Sequence, residues 1–154
     1  MIDDQFLEQA IALATTSVER GGGPFGAVVV KGGEVIGRGT NEVTLNNDPT
    51  AHAEVLAIRD ACNNIGDFSL MGATLYASCE PCPMCLAAIY WARLDRIVYA
   101  ASREDAAAAG FDDGVIAREI QLPLDERHMK TLQLDVDGSV PFLHWKEKED
   151  KTRY

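Results

Sequence analysis

The sequence has 154 residues, 47% apolar and 25% charged, with a formal net charge of −10 from 24 acidic and 14 basic side chains. These values describe an ordinary soluble globular chain, long enough for a single domain over residues 1–154 with a two- or three-layer core. They argue against a polyanionic partner, because affinity for nucleic acid comes largely from Lys and Arg on phosphates, and no basic cluster precedes the tail.

In chain order, residues 3–19 carry Phe6, Leu7, Ala10, Ile11, Ala14 and Val18 at three- and four-residue spacing and predict an amphipathic helix, ended by Gly21-Gly22-Gly23-Pro24. The valine-rich run Phe25 to Val30 predicts a strand, Lys31-Gly32-Gly33-Glu34 a hairpin turn, and Val35 to Thr40 the returning strand. Asn41 to Thr50 reads as a polar loop. From His52, the spacing of Val55, Ile58, Cys62 and Ile65 predicts a second helix closed by Gly66. Thr74 to Ser78 is a third strand, Cys82 to Ala92 a helix with Pro83 in its first turn, and Arg96 to Ala101 a fourth strand. Residues 102–114 read as a mixed loop with an alanine-rich turn, Val115 to Gln121 as a short helix, Thr131 to Val136 as a fifth strand, and Pro141 to Tyr154 as a helical or extended tail. Strands alternating with helices imply an α/β fold, its sheet covered on both faces and made mixed by the opening hairpin. No run of about 18 apolar residues predicts a membrane helix. Met1-Ile2-Asp3-Asp4 lacks the layout of a secretory signal. Without an export signal, four cysteines in metal-like spacing indicate a reducing cytoplasm.

The chemistry concentrates in His52-Ala53-Glu54 and Ser78-Cys79-Glu80-Pro81-Cys82-Pro83-Met84-Cys85, with 29 residues between His52 and Cys82. Three ligands, His52, Cys82 and Cys85, leave the fourth tetrahedral position of Zn²⁺ to water, the mark of a catalytic site. A closed structural site would need a fourth ligand, for which Cys79 is the candidate. Both segments begin helices, where backbone N–H groups favour thiolates, and one helical turn brings Cys82 and Cys85 to the same face. Zinc lowers the pKa of its water to about 7, and Glu54 stands two positions past the histidine to handle the protons as general acid/base. Its bland alternative is a solvated glutamate favouring the helix dipole. A zinc-bearing binding module without catalysis is the rival of a different class.

H-x-E followed by P-C-x-x-C is the signature of zinc nucleobase deaminases, and the sequence resembles the cytidine deaminase-like superfamily. Asn46 to Glu54, Cys79 to Leu86, Ile89-Tyr90-Trp91-Ala92-Arg93, Ala109-Gly110-Phe111-Asp112-Asp113 and a terminal tyrosine resemble the bacterial guanine deaminases of that fold, over nearly the whole length. The resemblance implies a three-layer α/β/α sandwich with a mixed sheet of about five strands. It also implies one zinc ion per subunit and hydrolysis of guanine to xanthine and ammonia in purine catabolism or salvage, by attack of the activated water at C2. Asn41 and the backbone of Ala53 would hydrogen-bond the base, Phe25 would wall the pocket, and Asp113 would contact purine N–H groups. Tyr154 would reach the site of a partner subunit through exchange of residues 140–154 in a homodimer. Each role has an alternative: Asn41 a turn residue, Asp112 and Asp113 helix caps, Phe25 core, Tyr154 a frayed end. Trp91 and Cys62 are expected to pack, and His128 and His144 to lie on the surface. Rival activities are tRNA adenosine deamination and deamination of cytosine or an aminotriazine.

Overall fold

Gly32 and Gly33 take φ of 60° and 82°, a left-handed pair that other residues rarely adopt, and they turn the chain between Lys31 and Glu34 as a two-residue hairpin. The hairpin opens the sheet of this computed structural model, which describes residues 1–154. The chain forms two compact units, Met1–Ala117 and Arg118–Tyr154.

In the first unit, α1 (Ile2–Glu19) precedes β1 (Gly23–Lys31) and β2 (Glu34–Asn41). A short α2 (Val43–Asn46) then leads to α3 (Ala53–Ile65), β3 (Ala73–Cys79), α4 (Pro83–Trp91), β4 (Arg96–Ala101) and α5 (Arg103–Ala108). The unit boundary falls within α6 (Gly114–Glu119). The sheet order is β2-β1-β3-β4, antiparallel across the first two pairs and parallel across β3–β4.

Strand alternation builds two cores. Val28, Val30 and Tyr76 face Phe6, Leu7 and Leu13 of α1. Ala27, Val29, Leu75 and Ala77 face the alanine stripe Ala53, Ala57, Ala61 of α3 and Ile89 of α4. The result is the expected α/β/α arrangement. Each fully buried Val or Leu contributes on the order of 2 kcal/mol. Close approach fixes the height of α3: a Cβ on Gly39 would stand 2.1 Å from the Ala53 carbonyl oxygen, and one on Gly37 would stand 2.5 Å from that of Ala57. Asp3 fastens the start of α1 to the sheet, accepting from Tyr76 Oη at 2.6 Å and Arg96 Nη2 at 2.6 Å.

The sheet has four strands, not five. Thr131–Val136 is irregular, and its alternating Leu132, Leu134 and Val136 are exposed. Alternation alone does not make a strand, which also needs a neighbour for its N–H and C=O groups, and this segment has no ladder partner in the chain. The loop predicted after Asn41 contains α2, and the one after Ala101 contains α5, where Ser102 Oγ accepts from Asp105 N and Asp105 returns the bond to Ser102 N at 2.8 Å. Trp91, expected to pack, is 66% exposed, while Cys62 packs against the α3-side core. The second unit holds a 3₁₀ turn (Leu124–Glu126) and α7 (Val140–Glu147), followed by a tail with a turn at 149–150 and no regular structure; His128 and His144 are exposed. No helix is long and apolar enough to cross a membrane.

Candidate active site

The register that pairs Gly23 with Asn41 and Cys79 with Ala101 brings the start of β1 and the carboxyl ends of β2, β3 and β4 to one edge of the sheet. Helices α3 and α4 begin there. His52 is the extended N-cap of α3 and Cys82 that of α4, with Pro83 at the first helical position and Cys85 two residues on. Both caps therefore project from helix N-termini toward the same point.

His52 Nδ1 lies 3.5 Å from Cys82 Sγ and 3.4 Å from Cys85 Sγ, and the three donor atoms all fall within 4.8 Å of one another. A tetrahedral ion with Zn–S of about 2.3 Å and Zn–N of about 2.0 Å separates sulfur from nitrogen by roughly 3.5 Å, so the residues fit zinc without rearrangement. Cys79 does not join them; its thiol donates to the Ser102 carbonyl at 3.4 Å. The donor set is thus three, and a fourth position is left for water.

Glu54, in the first turn of α3, is 6% exposed, and its Oε2 lies 3.3 Å from Cys85 Sγ. Burial pushes its carboxyl above the usual range, opposed by its own backbone N–H and the Cys85 thiol. Cys82 is held down to about 4, first by the hydrogen bond from the Cys85 thiol and then by His52. Cys85, donating to Cys82 and buried, is pushed up. The Cys82 hydrogen bond raises His52.

Beside these groups lies a cavity of about 270 Å³. Phe25, Asn41 and Asp113 line it with His52, Glu54 and Cys82. Ala53 is wholly buried at the first position of α3, where a backbone N–H has no intrahelical acceptor. Asn41 Oδ1 accepts from Val43 N at 3.2 Å, which leaves its NH₂ group as a donor. Tyr154 belongs to the second unit and is 73% exposed. The cavity also has walls that sequence reasoning assigned no role. Phe111 meets Phe25 edge-on, centroids 5.1 Å apart. Glu80 lies inside the cysteine motif, and Arg103 opens α5. The motifs contained Phe111 and Glu80 but gave no reason to single them out, and nothing in the local spacing marked Arg103.

The family model for the cytidine and deoxycytidylate deaminase zinc-binding region matches residues 1–101. The chain belongs to this family. It is 51% identical to a guanine deaminase of Bacillus subtilis over 156 residues, covering 100% of both chains. A crystal structure of the B. subtilis guanine deaminase superposes with a TM-score of 0.95, covering 98% of each chain. A protein solved in complex with 2,6-diaminopurine superposes with a TM-score of 0.70 at 32% identity, covering 72% of this chain and 62% of that one. A tRNA-specific adenosine deaminase of Aquifex aeolicus is 41% identical over 98 residues, 64% of this chain and 65% of its own. Within this family the His52, Cys82 and Cys85 cluster reads as the zinc site, and the cavity beside it suits a small-molecule substrate.

Proposed function

We propose that this chain is a guanine deaminase, a hydrolase that converts guanine and water to xanthine and ammonia, with one zinc ion per subunit held by His52, Cys82 and Cys85. Full-length identity of 51% to a guanine deaminase carries the reading of the substrate. The buried Glu54 carboxylate beside the metal-binding cluster carries the reading of the chemistry.

Zinc, when bound, supplies a water acidic enough to lose a proton near neutrality. Glu54 takes that proton as C2 gains its hydroxyl and passes it to the neighbouring ring nitrogen; it then takes the proton of the new C2 hydroxyl and delivers it to the exocyclic amine, so that the C2–N bond breaks as the C2 carbonyl forms and ammonia leaves. A carboxylate whose pKa is raised by burial is suited to both taking and giving a proton. Asn41 donates its NH₂ to a ring acceptor, the Ala53 N–H adds a second donor, and Asp113 accepts from purine N–H groups. Phe25, braced by Phe111, covers the flat face of the base.

The enzyme acts in the cytoplasm as a homodimer, exchanging residues 140–154 so that Tyr154 reaches the partner's site. Four unpaired cysteines fit a reducing compartment, and exposed Phe142 and Val140 in that segment fit burial against a second copy. Deleting residues 150–154 lowers turnover if the tail serves the site; unchanged turnover removes that role.

The deciding experiment is ammonia release from zinc-loaded protein with guanine, adenine, cytosine, their nucleosides and aminotriazines. Guanine is expected to react fastest. Good turnover of another base without guanine overturns the assignment, and so does tRNA binding in a gel shift at physiological salt together with editing.

A further inference from the structure

Arg103 is the first residue of α5, and its backbone is pinned where the helix starts. Its N–H donates to Glu80 Oε2 at 3.3 Å, and the preceding Ser102 is locked by the reciprocal bonds with Asp105. Its side chain reaches ten positions along the chain. Nη2 and Nε donate to Asp113 Oδ1 at 2.9 and 3.2 Å. Both bonds converge on one carboxylate oxygen, so Oδ2 is left to a further donor.

The neighbouring Asp112 does the local backbone work, accepting from Gly114 N at 2.8 Å, and this frees the Asp113 side chain from capping. The ion pair is partly exposed, 34% and 22% for the two side chains, a setting in which such pairs add little to stability. Its consequence is for the cavity. Glu54, Glu80, Asp112 and Asp113 all line it, and Arg103 is the one Lys or Arg among the lining residues. A carboxylate meant to accept from a neutral base needs a fixed direction and a counter-charge among so many acids.

We propose that Arg103 is a positioning residue for substrate recognition: it grips Oδ1 of Asp113 and so presents Oδ2 to the N–H groups of the bound base. This inference rests on the reading of Asp113 as a substrate contact. Arg103 acts only through that carboxylate and takes no part in the proton transfers.

The test is a double-mutant cycle on zinc-loaded protein, measuring kcat and KM for guanine with wild type, R103Q, D113N and R103Q/D113N. Losing the orientation of one charge-assisted acceptor corresponds to a rise in KM of about tenfold for R103Q. kcat is expected to stay within about threefold, on the scale where tenfold is 1.4 kcal/mol, with zinc content and melting temperature retained. R103K, which keeps the charge but not the fork, restores part of the loss. In the D113N background, R103Q adds nothing further. An unchanged KM in R103Q, or an equal rise with and without the Asp113 carboxylate, overturns the proposal. If R103Q fails to fold, the same cycle with R103K decides. If the wild-type panel selects a base other than guanine, the cycle is run with that base; coupling there keeps the role of Arg103 while the guanine assignment falls.

Discussion

Cys85 Sγ and Glu54 Oε2 stand 3.3 Å apart, although 31 positions separate them in the chain. One belongs to the first turn of α4 and the other to the first turn of α3, so two helix N-termini converge to place a carboxylate against a metal ligand. Glu54→Gln keeps the shape of the side chain and removes its capacity to carry protons. It should retain stoichiometric zinc and lose about 10²- to 10⁴-fold in kcat, the usual scale of a general acid/base. Metal analysis paired with steady-state kinetics checks this, and a fully active mutant contradicts the role.

Cys85→Ala removes one of three donors and leaves a buried site one ligand short. Stoichiometric zinc and activity should both be lost. Chelation of the wild-type protein should lower its melting temperature and re-addition of zinc restore it. A ligand at 100 times its Kd that binds only the folded state stabilises by about 2.7 kcal/mol. Calorimetry with and without chelator measures the difference.

Asn41→Asp keeps the acceptor used by Val43 N and replaces the NH₂ donor with a second acceptor. The loop should survive, and KM for guanine should rise by about tenfold or more, because a ring acceptor then meets an oxygen with nothing to donate. The split between an unchanged melting temperature and a raised KM is the readout.

Gly39→Val places a Cβ against the Ala53 carbonyl oxygen, a backbone atom that cannot swing aside. Overpacking of this kind costs about 1–3 kcal/mol, and the displaced α3 carries His52 at its cap and Glu54 in its first turn. Urea denaturation and zinc content should fall together; a stable mutant with full zinc would mean the helix tolerates the shift.

Asp3 bridges α1 to Arg96 and Tyr76, and those hydrogen bonds, the one from Arg96 first, hold its carboxyl below the ordinary range. A carboxyl depressed in the folded state contributes stability above its unfolded pKa, and that contribution is lost as the pH falls through the folded value. Wild type should therefore melt above D3N at neutral pH, with the gap closing as acid approaches and titrates the carboxylate. Since Asp3 and Arg96 are partly exposed, added salt should narrow the gap too.

The metal cluster was legible before any fold was known. Zinc accepts few residue types, and a cap residue and one two or three positions into the same helix are neighbours by local geometry. His52, Glu54, Cys82 and Cys85 were therefore legible from spacing. So were the first four strands and the main helices, whose apolar periods follow directly from backbone geometry. Tertiary structure alone decided what the period could not carry. The grip of Arg103 on Asp113, the edge-on meeting of Phe25 and Phe111, and the seating of Ala53 on Gly39 join residues whose partners no local pattern names. Thr131–Val136 shows the same limit from the other side. Its alternation is that of a strand, yet a strand exists only where another backbone offers its hydrogen bonds, and that depends on the fold rather than on the segment.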